Sequence, residues 1–238
     1  MENGAPAVEA RRRAGRPPHP VLGPGRITKA ALRLIARDGY KGLTMSALAR
    51  LLNVAPSALY NHVSSKQDVL LLVEDHLMAG VDISGFEAGP WHQAVRGWAW
   101  SYRNVFARHT PLIPVIAVLP VTNAPQTVKM YEAVTAGFHA AGWPPDQIID
   151  AIVALESFIF GSAFDVNAPA EIFNAGELAA DAPLFTQAVA SRASGSGSGP
   201  GGDERPVSPS DTAFGLGLEA LIDGLWAQRA LAPKARHP

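Results

Sequence analysis

Four residues, Asn53-Val54-Ala55-Pro56, separate two short apolar-periodic runs, and their chemistry leaves the chain around them few choices. Asn accepts the left-handed backbone that closes a helix, and proline is tolerated in the first turn of the next, where its missing N–H has no partner to lose. One helix therefore stops at Asn53 and another starts at Pro56. Before the break, Met45, Leu48, Ala49 and Leu52 recur at helical spacing, and the Thr44 hydroxyl can accept from the first free N–H groups. After it, a third short helix is expected from about Pro56 to His62. Upstream, Ile27, Ala30, Ala31, Leu34 and Ile35 form one stripe opposite Lys29, Arg33 and Arg37, and this helix ends near Gly39. Downstream, Ser65 and Asp68 make a capping-box pair that opens a fourth helix running through Met78.

Beyond Pro90 the pattern predicts longer helices at about 91–108, 125–141, 145–165, 184–192 and 212–231, with no strand-like alternation competing. The expected fold class is all-α, a small N-terminal three-helix unit followed by a larger helical domain. Residues 1–25 hold five prolines, four arginines and almost no large apolar side chains, which reads as a flexible basic arm. Residues 193–210, built of Ser, Gly and Pro, read as a mobile loop. The expected division is thus 1–25 for the arm, 26–66 for the three-helix domain, and 67–238 for the second domain.

A chain that is 47% hydrophobic and 17% charged is neither fibrous nor wholly disordered. Pro111 to Val121 is the longest apolar candidate for a membrane span, and Pro111, Pro114 and Pro120 interrupt it, so no bilayer crossing is expected. Arg11 to Arg13 are followed by Gly, Pro and His rather than an apolar core, so no signal peptide is expected. Absence of cysteine excludes disulfides and thiolate metal sites and fits a reducing cytoplasm. Charge is distributed unevenly. Residues 1–66 carry eleven Lys and Arg against three Asp and Glu, net +8, while the remainder sums to −9. One end is suited to a polyanion and the other is not.

Two short helices joined by a tight turn match a helix-turn-helix, whose second helix fits the DNA major groove. The segment Leu43 to Val63, continued by Ser65-Lys66-Gln67-Asp68-Val69-Leu70, resembles the DNA-binding domain of the TetR family of bacterial transcriptional regulators, most specifically in Leu59-Tyr60-x-His62-Val63-x-x-Lys66. The likeness covers about residues 26–78. On physical grounds Ser57, Tyr60 and His62 are polar groups able to reach phosphates or base edges, while Leu59 and Val63 face the core. Asn61 has the carboxamide that matches adenine. Lys66 offers a charge to phosphate at a helix N-terminus. Thr44 and Ser46 can bond the neighbouring DNA backbone. The blander readings are that Tyr60 covers apolar surface, Thr44 is only a cap, and His62 is a solvated surface histidine. Ala55 stands where the family commonly has a capping Ser, and Ser46 and Ala55 stand where longer polar readers are frequent. The arginines of the arm suit a narrow minor groove, the alternative being a solubilising tail.

The second domain holds most of the aromatic residues, and the proline-broken apolar segment 111–120 suggests a cavity. The groups expected to line a ligand site are Trp98, Tyr102, Arg103, Phe106, His109, Asn123, Gln126 and Phe164. The runs Trp91 to His109, Ala154 to Asp165 and Phe214 to Leu225 are similar to the C-terminal domain of the tetracycline repressors. That resemblance implies a ligand pocket between helices and a homodimer through a four-helix bundle, here about 145–165 and 212–231. Gly161, Gly215, Gly217 and Gly224 fit close helix approach despite costing about 1 kcal/mol each in propensity. Those repressors hold a magnesium-drug complex through a histidine. The nearest segment here, Val115-Ile116-Ala117-Val118, has none, although Asp165 falls where the family places an acidic residue near the metal. An isolated carboxylate is a poor magnesium site, so an apolar or aromatic effector is expected, with no metal or cofactor.

The sequence therefore predicts a ligand-responsive transcriptional regulator. As a homodimer it would bind double-stranded operator DNA of pseudo-palindromic sequence, repress, and be released by a small molecule. The alternatives are an activator of the same fold, or a helical small-molecule-binding protein or enzyme whose N-terminal hairpin is structural. Against an enzyme, no Ser/His/Asp, His-x-x-x-His, Glu-x-x-His or phosphate-loop pattern is present, and no catalytic residue is assigned.

Overall fold

The computed structural model describes residues 22–169, 171–195 and 208–231. Positions 1–21 of the expected arm and 196–207 of the expected loop lie outside these described residues, while Pro24 and Gly25 belong to the first helix and the loop's ends, 193–195 and 209–210, are helical. The helices are α1 (Pro24–Gly42), α2 (Met45–Leu52), α3 (Pro56–Tyr60), α4 (Lys66–Met78), α5 (Gly85–Ala88), α6 (Trp91–Ala107), α7 (Ile113–Ile116), α8 (Pro125–Ala140), α9 (Pro145–Asp165), α10 (Pro183–Gly195) and α11 (Pro209–Leu231). Among the described residues there is no strand.

Local chemistry sets the corners of the first unit. Gly39, at φ 69°, breaks α1 shortly before its end. The Thr44 hydroxyl accepts from the Ala47 N–H at 3.1 Å. Asn53 sits at φ 54°, ψ 49°, and closes α2 in the left-handed region that a short polar side chain tolerates. At the start of α4, Ser65 Oγ accepts from the Asp68 N–H while Asp68 Oδ2 accepts from the Ser64 and Ser65 N–H groups. Helix α3 has five residues and its N-cap, Ala55, offers no side-chain bond. Such a segment is not stable alone. It is held because Leu59 is fully buried in the hydrophobic core and α3 packs on α2, a burial worth about 2 kcal/mol.

Helix α4 belongs to both units, since it packs on α1 and also on α6 and α8, with Lys66 at its start bonded to Tyr40 of α1 and Asp75 near its end bonded to the start of α8. The larger unit is built on α6 and α9, with α8 on one side and α11 on the other. Arg96 on α6 makes a bidentate ion pair with Glu219 on α11, both bonds 2.6 Å. Half exposed, it contributes about 1 kcal/mol at most. Between α6 and α8 the polypeptide forms a 3-10 turn at Thr110–Leu112 and the one-turn α7, both with proline at their starts. This is the irregular apolar segment expected there.

Three differences from the sequence expectations have simple causes. Helix α11 begins at Pro209, three residues early, because Ser208 Oγ accepts from the Asp211 N–H and proline occupies the first turn. Helix α5, hidden between Gly80 and Gly89, forms because Phe86 inserts where Gly137 has no side chain. The segment best fitted by length and apolarity to cross a membrane is α9, with mean hydropathy 1.5, and not Pro111–Val121. Its inner face is buried against α6, α8 and α11, and the sequence expectation overlooked it because acidic residues punctuate the run.

Candidate DNA-binding surface and effector site

Thr44, Ser46, Ser57, Tyr60, Asn61 and His62 are all exposed on one side of the α2–α3 corner, while Leu59 and Val63 point inward. Tyr60 is 50% exposed, so its ring is free to meet a partner. Lys66 is placed differently from the other candidates. Its ammonium lies 3.7 Å from the centre of the Tyr40 ring and donates to the Tyr40 carbonyl at 3.3 Å, tying the start of α4 to the end of α1.

Of the candidate ligand residues, the structure brings Trp98, Tyr102 and Phe106 together. They follow one another at four-residue spacing on the buried face of α6, with ring centroids 5.6 Å and 5.2 Å apart, and Phe160 of α9 packs across Tyr102 and Phe106. Arg103 is buried as well but faces α11. Its Nε donates to Ser162 Oγ at 3.0 Å and its Nη1 to Asp211 Oδ1 at 2.6 Å, with the guanidinium over the Phe214 ring. Burial alone would raise the Asp211 carboxyl, yet the hydrogen bonds from Arg103 and Ser208 hold it below its usual range.

The other candidates are scattered. His109 is half-buried beside a shallow cavity of about 340 Å³ lined by His76, Leu77, Gly80, Val105 and Arg108. Burial lowers its pKa, and the positive charges of Arg108 and His76 lower it further. Among the described residues no hydrogen bond joins His109 to Asp165, which is exposed. Asn123, at φ 62°, is an exposed turn residue, and Gln126 is exposed, its backbone N–H bonded to Asp75. Phe164 is 46% exposed on the outer face of α9. No group of three potential metal ligands occurs among the described residues.

Sequence reasoning missed the polar centre of this domain. Glu156 Oε1 accepts from the Tyr102 and Tyr131 hydroxyls, at 3.1 and 2.8 Å. Glu74 of α4 is 3% exposed, and its Oε2 has no hydrogen-bond partner. Burial, then the nearby charges of Asp75 and Glu156, push the Glu74 carboxyl up to about 7. Burial also raises Glu156, opposed by the two phenol hydrogen bonds, and raises both tyrosines. The neighbouring Asp75 caps α8, accepting from the Gln126 and Thr127 N–H groups at 2.6 and 3.1 Å. A signal was present: Glu74 stands among Leu70, Val73, Leu77 and Met78 on the apolar face of its helix, and Glu156 among Ile152, Leu155 and Ile159.

Residues 27–73 match the family model of bacterial regulatory proteins of the tetR family, and residues 86–229 match the tetracyclin repressor-like C-terminal domain. A helix-turn-helix type transcriptional regulator of Saccharopolyspora erythraea is 31% identical over 144 residues, 60% of this chain and 60% of that one. The repressor DrrR1 of Streptomyces coeruleorubidus is 25% identical over 226 residues, 90% of this chain and 81% of its own. Among solved structures, the TetR family protein ActR of Streptomyces coelicolor in complex with actinorhodin superposes with a TM-score of 0.69 at 25% identity, covering 89% of this chain and 99% of that one. The chain belongs to the TetR family, with a tetracycline-repressor-like C-terminal domain. It is a DNA-binding regulator and not an enzyme.

Proposed function

We propose that this regulator is a repressor. It binds a pseudo-palindromic operator as a homodimer in the bacterial cytoplasm, through Thr44, Ser46, Ser57, Tyr60, Asn61, His62 and Lys66, and a small molecule entering the second domain releases it. The observation that carries this reading is the course of α4. This helix of 13 residues, about 20 Å long, starts at the capped corner next to the recognition helix and ends against α6 and α8, carrying Glu74 and Asp75 into the second domain. A ligand that shifts its second half must move its first. ActR, solved with actinorhodin, shows that a protein of this fold takes up a small molecule.

The homodimer is supported by two outward faces. On α9, Val153, Ala154, Ser157, Gly161 and Phe164 are exposed, and on α11, Ala213, Leu216, Ala220, Gly224 and Ala227. A side chain at Gly161 or Gly224 would meet nothing among the described residues of this chain, whereas one at Gly217 would strike Phe158. Of the four glycines, Gly217 is thus explained by packing inside one chain, a side chain at Gly215 would make only ordinary contact with Trp100 at 3.8 Å, and Gly161 and Gly224 leave room for a second copy.

The test is selection of bound sequences from randomised duplex DNA by the purified protein at two salt concentrations. The expected result is enrichment of a palindrome with half-sites about one helical turn apart. Salt-sensitive, sequence-blind binding would overturn the proposal.

A further inference from the structure

Glu74 and Glu156 approach the middle of the second domain from α4 and α9, and among the described residues neither forms an ion pair. Both phenolic hydrogens within reach are already given to Glu156 Oε1, and Glu74 Oε2 is buried with nothing to accept. Of the other buried polar atoms without a partner, two lie one turn before these phenols, Trp98 Nε1 before Tyr102 on α6 and Thr127 Oγ1 before Tyr131 on α8, so each shares a helix face with a hydroxyl of the cluster. Trp98 is 1% exposed, Thr127 is fully buried, and Glu74 is 3% exposed. Phe86 of α5 packs edge-on to Trp98 at 6.4 Å.

A buried carboxylate without a partner opposes folding, and an apolar side chain of the same volume would serve stability better. The chemistry left unsatisfied defines what would relieve it. The free oxygen, Glu74 Oε2, is an acceptor on a carboxyl that burial holds partly protonated near neutral pH and that a neighbouring cation would ionise, and the walls are aromatic faces, which attract cations. An anionic ligand would raise both carboxyls further, and a purely apolar one would leave Glu74 Oε2 without a partner.

We propose that the effector is an organic ammonium ion, its charged nitrogen held between Glu74 and Glu156 and its apolar frame against Trp98 and Tyr102. The Trp98 N–H and the Thr127 hydroxyl remain to bond an acceptor on that frame. This rests on the reading above that the second domain binds a small effector, and it adds a cationic group to the apolar or aromatic effector expected from sequence.

The test uses the full-length protein and three probes with one three-ring frame and three charges: 9-(aminomethyl)anthracene as its ammonium, 9-anthracenemethanol, and 9-anthracenecarboxylate. Binding is read by energy transfer from tryptophan to the anthracene. The ammonium should bind about tenfold tighter than the alcohol, with the carboxylate weakest. Glu74→Gln and Glu156→Gln should each weaken the ammonium about tenfold and leave the alcohol within about twofold. Equal or tighter binding of the alcohol or carboxylate, no binding of the ammonium, or indifference of the ammonium to both substitutions would overturn the proposal. Should a variant not fold, the order of the three probes on the unaltered protein decides. If the alcohol or carboxylate binds best and displaces operator DNA, the charge assignment fails while the effector-responsive reading stands. If no probe binds but the protein selects an operator, the ammonium proposal fails and DNA recognition is untouched.

Discussion

Replacing Glu74 by Gln should make the folded protein more stable at pH 8 and leave it nearly unchanged at pH 5. Glu74 is 3% exposed, its Oε2 has no partner, and its carboxyl is raised from 4.5 to about 7. A proton held more tightly in the folded than in the unfolded chain contributes stability that is fully present below about 4.5 and is lost as pH rises through about 7. At about 1.4 kcal/mol per unit that shift is worth about 3 kcal/mol, reduced to about 2 kcal/mol by solvent screening at the edge of the carboxylate. Glutamine keeps the volume and cannot ionise, so the penalty disappears in the variant. Glu156 titrates in both proteins, and its contribution largely cancels in the difference.

The assay is urea unfolding of both proteins at one fixed protomer concentration, at pH 5, 6, 7 and 8, because the stability of an oligomer depends on concentration. The variant's advantage should grow from near zero to about 2 kcal/mol across that range, or roughly 4–8 °C in melting temperature for a chain of this length. A difference that stays constant with pH would show that Glu74 is not held protonated by burial. A variant that loses stability at high pH would show that its carboxylate has a partner.

Asp211→Ala removes the acceptor of Arg103, whose side chain is 1% exposed, and should cost about 3 kcal/mol. Replacing Arg103 by Leu in the same protein should recover most of that loss in a double-mutant cycle, and additive losses would refute the coupling. Gly217→Ala places a methyl 2.6 Å from the Phe158 ring and should cost about 1–3 kcal/mol in thermal unfolding. Gly224→Ala meets nothing among the described residues of the chain, so it should gain up to about 1 kcal/mol of helix propensity while weakening self-association in sedimentation. Unchanged self-association would argue against the α11 face as the interface. Lys66→Met should reduce the salt dependence of operator binding by about one unit if the ammonium leaves Tyr40 for a phosphate. A loss of stability with an unchanged slope would mean that Lys66 only ties α4 to α1.

The corners of the first unit were legible because each rests on chemistry local in sequence: a threonine cap, an asparagine in the left-handed region, a proline in a first turn, a serine-aspartate capping box. Exposure of Tyr60 and burial of Leu59 followed from the period of a single short helix. The second domain was legible only as a set of helices. Trp98, Tyr102 and Phe106 share one helix face, and that spacing is why their rings lie together. Arg103, one residue from Tyr102, turns to α11 because its partner Asp211 lies 108 positions away, and no local pattern encodes that pairing. Phe164 was grouped with the ligand site by its type, although the face of α9 that carries it points outward. Glu74 and Glu156 were visible as charges on apolar faces, but their meeting depends on how α4 crosses α6 and α8, on which α9 also packs.

That crossing is also where DNA recognition and effector response become one problem. Asp75 accepts from the first N–H groups of α8 while its neighbour Glu74 is buried in the second domain, so α4 is tied to that domain through Asp75 and carries Glu74 into it. At the other end, Lys66 on Tyr40 and the Ser65-Asp68 box fix the same helix to the DNA-binding corner. A cation drawn between Glu74 and Glu156 exerts its pull on α4, and a rigid helix of under four turns cannot absorb that pull by bending alone. Coupling of this kind is reciprocal: whatever factor the effector takes from operator affinity, the operator takes from effector affinity. If Glu74 is the handle, Glu74→Gln must shrink that shared factor even where the variant still binds both partners. A coupling factor left intact by Glu74→Gln would place the transmitting contact on another element, the 3-10 turn at Thr110–Leu112 that touches α1 being the next in line.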